Sequence, residues 1–264
     1  MALHRLSTTE LARRIREGEL TSSEALEYFI ARVEKLDPPL NAVVVRRFDE
    51  ARQRAREADE ALARGEHWGP LHGVPMTVKE TFEVAGWPTT AGVTDLAEHV
   101  PRQDADAIER LRAAGAVLFG KTNIPAYAGD LQSFNEIYGT TNNPWNPELT
   151  PGGSSGGAAA ALAAGMTPLE LGSDIGGSIR TPAAFCGVAG LKPSWRLIPT
   201  RGHIPGPPGA LSTRDISVAG PMSRHVEDLE LAMEILAGPD QDEGPGWMTP
   251  VARWTGVSSR PWSN

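Results

Sequence analysis

The sequence has little cysteine, no excess of basic residues and no long apolar run. Among its 264 residues, Cys186 is the only cysteine, which rules out an internal disulfide and fits a reducing compartment. The net charge of −8 argues against a general nucleic-acid-binding surface. The alanine-rich run at residues 158–164 is too short to span a membrane, and the charged N-terminus lacks the apolar core of a signal peptide. We therefore expect a cytoplasmic protein that neither spans a membrane nor binds nucleic acid directly.

Several motifs of known site types are also missing. The sequence contains no HExxH and no CxxC, so metal ligation has little support. A phosphate-binding GxxxxGK[ST] loop is excluded because no lysine directly follows Gly157. Residues 152–157 also lack the GxGxxG pattern of a dinucleotide-binding site. This glycine loop could also be interpreted as a flexible linker. That interpretation is less favoured because the loop lies between predicted helices and strands.

Residues 150–194 hold two glycine-flanked serine sites. Gly152–Gly157 reads GGSSGG and Gly176–Ser178 reads GGS, and their first serines, Ser154 and Ser178, are 24 residues apart. The intervening alanine-rich and apolar runs predict one helix and one strand. Each serine is then expected where a glycine loop meets the start of a helix, beside amides that lack intrahelical partners. This arrangement offers an acyl-transfer nucleophile and donors for its oxyanion.

Local signals divide the rest of the chain into alternating helices and strands. Ser7-x-x-Glu10 and Thr21-x-x-Glu24 are capping boxes that each predict a helix start. Further helices are predicted at residues 48–64, 104–114 and 223–236, with strands at residues 41–45, 73–79, 116–119 and 188–191. Residues 137–151 predict a loop. The last helix is predicted to begin at a Ser223 cap and to present one apolar face comprising Val226, Leu229, Met233 and Leu236. This alternation favours an α/β layer fold.

A nucleophilic serine needs a base, which is usually histidine. None of the six histidines stands in a glycine-rich turn, and only His203, in Arg201-Gly202-His203, remains a candidate to line a site. Lys79 is the better candidate because it ends an apolar, strand-like run, where burial would lower its pKa and leave it neutral. On spacing alone, however, a lysine at the end of a strand is more often a surface residue whose charged end reaches the solvent. Cys186 is interpreted as a small core residue, with a reactive thiol as the minor alternative.

Three blocks of sequence, in order, carry a resemblance to a known family. They are Gly73-Val74-Pro75 with Lys79-Glu80, then Gly152–Gly157, then Gly172–Ser178 with Gly190-Leu191-Lys192-Pro193. With both serines at the family's spacing, the chain resembles the amidase signature family of amide hydrolases and amidotransferase subunits. The resemblance implies a mixed β-sheet core flanked by helices. It suggests three parts: an N-terminal helical segment at 1–70 that packs on the core, the amidase signature core at 71–239, and an irregular tail at 240–264.

The resemblance also implies the site residues. By motif position, Ser178 would be the nucleophile, Ser154 a bridging serine on a cis peptide bond, and Lys79 the base of a Ser–Ser–Lys triad. Four consecutive backbone N–H groups would form the oxyanion hole, those of Ile175, Gly176, Gly177 and Ser178. The side chains expected to support the site are those of Ser155, Asp174 and Arg180. This chemistry implies neither a metal nor an organic cofactor.

The implied activity is hydrolysis of a carboxamide or of a linear or cyclic amide, so the expected partner is a small-molecule amide. The glutaminase-type component of a tRNA-dependent amidotransferase shares the same motifs and is the alternative. Family members are longer, and the likeness fades after Gly238-Pro239. We therefore expect the fold to lack the family's C-terminal half, which makes a non-catalytic remnant a third interpretation. A homodimer is left open.

Overall fold

The computed structural model describes residues 2–204 and 216–239. Within these ranges lie seven α-helices: α1 (Thr8–Arg16), α2 (Ser22–Leu36), α3 (Phe48–Ala63), α4 (Asp106–Ala113), α5 (Gly156–Ala163), α6 (Arg180–Cys186) and α7 (Val226–Leu236). The same ranges hold eight strands: β1 (Val43–Arg46), β2 (Pro75–Lys79), β3 (Val117–Thr122), β4 (Phe134–Asn135), β5 (Gly139–Thr140), β6 (Leu169–Asp174), β7 (Ala189–Gly190) and β8 (Val218–Ser223). The tail predicted at 240–264 lies outside the described residues.

Both predicted capping boxes begin a helix. The Ser7 hydroxyl accepts a hydrogen bond from the Glu10 amide at 3.2 Å, at the start of α1. Thr21 and Glu24 form the full reciprocal box at the start of α2, with bonds of 3.0 and 2.9 Å. Each bond satisfies an amide that has no partner inside its helix, which fixes where the helix begins.

A six-stranded mixed sheet forms the centre of the molecule, in the order β1-β3-β2-β6-β8-β7. Strands β3, β2 and β6 are parallel, whereas β1 runs antiparallel to β3 and β8 runs antiparallel to both β6 and β7. Every residue of β2, β3, β6 and β8 is buried. Because β2 and β6 are parallel, their C-terminal residues, Lys79 and Asp174, lie towards the same edge of the sheet.

Helices cover this sheet and share its apolar core. The main cluster of buried side chains joins α1, α2 and α3 to the sheet and includes Leu26, Phe29, Val78 and Leu171. A smaller cluster joins α5 and α6 to β8. The predicted class, a mixed sheet flanked by helices, is thus confirmed. Among the helices that the structure describes, none is long and apolar enough to cross a membrane.

The structure corrects the sequence predictions in four respects. Strand β8 was not predicted. Ser223 ends β8 and does not cap α7, whose N-cap is His225; the Ser223 hydroxyl instead donates to Asp228 at 2.6 Å. Val226 is 72% exposed and does not belong to the apolar face of α7, whose buried members include Leu229 and Leu236. The predicted loop at 137–151 contains the two-residue strand β5, paired with β4.

Candidate active site

Strand β2 carries Lys79 into the interior of the protein. The lysine side chain is fully buried, and its Nζ lies 2.6 Å from the Ser154 Oγ and 2.9 Å from the Ser173 Oγ. Burial lowers the pKa of Lys79 to about 7, although the negative charges of Asp174 and Glu170 oppose that shift. Near neutral pH, a large fraction of this amine is therefore unprotonated and able to accept a proton from a hydroxyl.

The first serine loop lies between β5 and α5. The peptide bond from Gly153 to Ser154 is cis, and Ser155 is the N-cap of α5. A side chain at position 153 would place its Cβ 2.9 Å from the backbone of Leu131, closer than carbon atoms pack, so glycine is required there. The predicted helix between the two serines is α5 and the predicted strand is β6, which confirms how the sequence separates them.

The second serine lies in the turn between β6 and α6. Backbone and side-chain bonds hold this turn against the first loop: the Ser155 amide donates to the Ser178 carbonyl at 3.0 Å, and the Ser173 amide donates to the Ser155 Oγ at 3.4 Å. Among the described contacts, no hydrogen bond joins the hydroxyls of Ser154 and Ser178. The two loops are thus adjacent through Ser155.

Asp174 organises the turn that contains Ser178. Its carboxylate accepts hydrogen bonds from the amides of Gly177 and Ile179, at 2.9 and 3.0 Å, and from the guanidinium of Arg180, at 2.8 and 3.0 Å. Although burial acts to raise it, the pKa of Asp174 is lowered to about 2 by Arg180 and by these amides. Asp174 is therefore ionised at any pH of interest, and its charge is compensated within the turn.

The four amides singled out as oxyanion donors are not equivalent. Gly177 donates its N–H to Asp174. Within the part of the chain that the structure describes, the N–H groups of Ile175, Gly176 and Ser178 have no acceptor. Ile175 is 54% exposed, whereas Ser178 is half-buried. Three amides without a protein acceptor among the described residues therefore lie in the turn that carries Ser178, where solvent can reach them.

Ser173 is the contact of Lys79 that sequence reasoning missed. It is buried in β6, and its only local signal is its place five residues before Ser178. Its hydroxyl accepts the second hydrogen bond of the Lys79 amine. Together with Ser154, it fixes the direction of the Nζ atom.

Two further residues from the sequence analysis lie apart from this contact network. The buried ring of His203 packs on Phe82, with ring centroids 4.7 Å apart. Cys186 ends α6 and is buried, and burial raises the pKa of its thiol to about 12. Its interpretation as a core residue is confirmed, and the thiol is in its unreactive, protonated form at neutral pH.

Comparison with known proteins places this geometry in a family. The family model for amidases matches residues 24–250. A glutamyl-tRNA(Gln) amidotransferase subunit from Methylococcus capsulatus is 42% identical over 239 residues, which are 90% of this chain and 48% of that protein. The chain therefore belongs to the amidase family, as its motifs suggested.

Solved structures agree with this assignment. The peptide amidase from Stenotrophomonas maltophilia superposes with a TM-score of 0.86 and 34% identity, over 95% of this chain and 52% of that one. A fatty acid amide hydrolase superposes with a TM-score of 0.81 and 35% identity, over 88% of this chain and 41% of that one. The chain spans about half the length of the curated relatives it matches.

Proposed function

We propose that this chain carries the acyl-transfer centre of an amide hydrolase, with Ser178 as nucleophile, Ser154 as proton relay and Lys79 as base. The observation that carries the proposal is the 2.6 Å contact between the fully buried Lys79 amine and the Ser154 hydroxyl. A lysine whose pKa is lowered to about 7 by burial can take the role that histidine has in a Ser–His–Asp triad.

The proton path follows the order of these groups. Neutral Lys79 accepts a proton from Ser154 while Ser154 accepts one from Ser178, and the Ser178 oxygen attacks the amide carbonyl. The intermediate collapses when the proton returns through Ser154 to the leaving nitrogen, so ammonia or an amine departs and an ester remains on Ser178. Water then attacks that ester, with the same relay accepting and returning its proton.

The oxyanion of each tetrahedral intermediate would be held by the amides of Ile175, Gly176 and Ser178. Asp174 and Arg180 support this step by fixing the turn that presents the amides. Loss of one such donor typically costs about 10²–10³ in rate. Ser155 supports the site through its bond to the Ser178 carbonyl.

Amide turnover tests the proposal. Ammonia or amine release would be measured on a panel of a small carboxamide, a peptide amide, a fatty acid amide, a cyclic amide and glutamine. The variants are Ser178→Ala and Lys79→Ala, with Lys35→Ala, an exposed lysine on α2, as the matched control. Turnover should disappear in the first two variants and persist in the third. Equal turnover in the wild type and in both site variants would rule the proposal out.

A second candidate function is the glutaminase step of a tRNA-dependent amidotransferase. It is favoured by curated relatives that are named as subunits of a glutamyl-tRNA(Gln) amidotransferase, at 40–42% identity. Glutamine-dependent ammonia release that rises when the partner subunits of such a relative are added would support it. Activity on other amides that is indifferent to those subunits would favour the simple amidase. Either function fits a cytoplasmic protein acting on a small amide.

The alternative of a non-catalytic remnant is motivated by the share of the relatives that the chain covers, about half. A cooperative thermal transition accompanied by turnover would exclude it, whereas a cooperative transition with no turnover on any member of the panel would support it. A homodimer would be recognised from the molar mass in solution.

A further inference from the structure

A cavity of about 300 Å³ is formed by three segments of the chain, at residues 92–95, 126–127 and 134–136. Its volume is at the lower end of the roughly 300–1,000 Å³ that small-molecule sites occupy. The proposed reaction gives this cavity no role, and neither Lys79 nor the serines of the proposed relay line it. The cavity therefore has room for a small organic group that takes no part in the bond-breaking step.

The three segments are anchored at the carboxyl ends of β2 and β3. Glu80, the first residue after β2, accepts a hydrogen bond from the Thr90 amide. The neighbouring Ala91 carbonyl accepts one from the Tyr127 amide at 2.8 Å, and the side chain of Asn135 donates to the loop that follows β3. Parallel strands of α/β proteins present ligand sites at their carboxyl ends, so the cavity lies at the edge of the sheet where a substrate is expected.

The cavity is an immediate neighbour of the loop that holds Ser154. The Ser133 hydroxyl accepts a hydrogen bond from the Gly156 amide at 3.1 Å and donates one to the Gly152 carbonyl at 3.2 Å. It therefore contacts both ends of this loop. The next residue, Phe134, lines the cavity, and consecutive Cα atoms are only about 3.8 Å apart. One residue thus separates the cavity from the glycine loop.

Two carboxylates line the cavity without a cation beside them. Asp95 and Glu136 are both exposed, and among the described residues neither side chain has an ion pair or a hydrogen bond. Exposed carboxyl groups are ionised at neutral pH. None of the described residues that line the cavity is basic. The cavity therefore carries negative charge that favours a cation.

Two aromatic side chains add to this preference. Tyr127 and Phe134 line the cavity and are 56% and 50% exposed. Within the described part of the chain, neither ring packs against another aromatic ring. The face of an aromatic ring attracts a cation and also covers apolar groups. Rings next to uncompensated carboxylates thus favour an ammonium group on an apolar body over a neutral or an anionic group.

We propose that this cavity is a specificity subsite for an ammonium group on the substrate, so that the preferred substrates are amides that carry an amine. The proposal deepens the function proposed above and rests on it. The same charges disfavour an amide that carries a carboxylate in that position. The occupant is recognised by its charge and its apolar body, because the cavity offers carboxylates and rings.

Binding of benzylammonium, compared with the neutral benzyl alcohol of the same shape, tests the cavity without any turnover. Titrations followed in ¹⁵N–¹H spectra give both dissociation constants, and the amides of residues 92–95 and 134–136 report where the ligand binds. We expect benzylammonium to shift these amides and to bind about tenfold more tightly, as one cation–π contact and one exposed ion pair together provide. Equal affinities, or shifts confined to other residues, would overturn the proposal.

Variants of the lining residues assign the preference to the cavity. Asp95→Asn combined with Glu136→Gln removes both charges and should abolish most of the tenfold preference. Glu98→Gln combined with Glu148→Gln is the matched control, since it removes two exposed acids outside the cavity, and it should keep the preference. Phe134→Leu should weaken benzylammonium binding about threefold, the effect of one lost cation–π contact. A preference that survives removal of both cavity charges would contradict the proposal.

A series of amides with a terminal amine, differing in the number of methylene groups, connects the cavity with catalysis. For each length, kcat/KM is compared with that of the amide in which a hydroxyl replaces the amine. At the best length the ratio should be about ten, and about one when both cavity charges are removed. A ratio of one at every length, with turnover intact, would refute the subsite. A wild-type chain with no amide turnover would defeat the proposed function alone, because the benzylammonium titration still decides whether the cavity binds an ammonium group.

Discussion

Two neighbouring strands of the sheet each carry a buried lysine, Lys79 on β2 and Lys121 on β3. The two lysines differ in the groups that they contact. Lys121 pairs in register with Val78 and so projects from the face opposite to Lys79. Its amine donates to the Pro88 carbonyl at 2.8 Å and to the Thr89 hydroxyl at 2.6 Å. Lys79 instead contacts two serine hydroxyls, one of them in the glycine loop.

The difference lies in the partners, because burial acts on both amines. Burial lowers the pKa of Lys121 to about 8 and that of Lys79 to about 7. Glu80, on the Lys121 face, accepts a hydrogen bond from the Thr90 amide, so Lys121 and Glu80 both fasten the segment at residues 88–90. Burial alone therefore does not make a base. What sets Lys79 apart is its contact with Ser154, in the glycine loop that packs against the turn of Ser178.

Replacing the two lysines separately should give the largest contrast. Lys79→Met removes the proposed base and should reduce kcat/KM by about 10²–10⁴-fold. Its free energy of unfolding should change by less than about 1 kcal/mol, because the two serine hydroxyls can turn to other acceptors. Steady-state kinetics together with urea denaturation measure both quantities. If Lys79→Met kept wild-type turnover, Lys79 would not be the base, and the two lysines would not differ in function.

The pH dependence of the wild type should reveal the neutral lysine. Only unprotonated Lys79 accepts a proton, and its pKa is lowered to about 7 by burial. As the pH falls below that value the amine becomes charged, so kcat/KM should fall about tenfold per pH unit and recover when the pH is raised. Circular dichroism at each pH would separate this loss from unfolding. A profile that is flat between pH 5 and pH 7 would contradict the assignment.

Lys121→Met should act on stability and not on chemistry. It leaves the buried Pro88 carbonyl without this donor, and an unsatisfied buried group costs roughly 1–3 kcal/mol. We expect a lower midpoint of urea denaturation, with turnover per folded molecule preserved. A loss of turnover as deep as that of Lys79→Met, in folded protein, would mean that the Lys121 face also takes part in the reaction.

Ser173→Ala should give the smallest effect. It removes one of the two acceptors that orient the Lys79 amine, 2.9 Å from Nζ. A neutral hydrogen bond contributes about 1 kcal/mol, so kcat should fall about fivefold with KM unchanged. Ser173→Thr, which keeps the hydroxyl, is the matched control. A loss as large as that of Lys79→Met would instead make Ser173 part of the proton path.

The local parts of the fold were predictable because their signals are short-range. Capping boxes at Ser7 and Thr21 predicted two helix starts, and an alanine-rich run and a short apolar run predicted the helix and the strand between the serines. Strand β8 was missed because it contains Gly220 and Pro221, residues that argue against a strand interior. Its pairing with β6 depends on tertiary contacts that no local pattern encodes. The same cause led to the wrong cap at Ser223.

The site was predictable only in part. The glycine loops indicated Ser154 and Ser178. Spacing alone did not decide whether the Lys79 side chain lies on the surface or in the interior. The family motifs favoured the interior, and the structure shows that every residue of β2 is buried. Ser173 carried no signal because its contact with Lys79 joins strands that are about 90 residues apart in sequence. Such contacts follow from strand register, which the sequence of one strand does not specify.

The central claim is that a neutral, buried lysine activates a nucleophilic serine. Covalent labelling tests this claim most directly. A small fluorophosphonate reacts with an activated serine without needing a complete substrate pocket, and peptide mapping locates the label. We predict a single label on Ser178, a labelling rate that rises with pH through about 7, as the pKa of Lys79 requires, and loss of labelling in Lys79→Met. A label on another residue, or a rate indifferent to both pH and Lys79, would contradict the account.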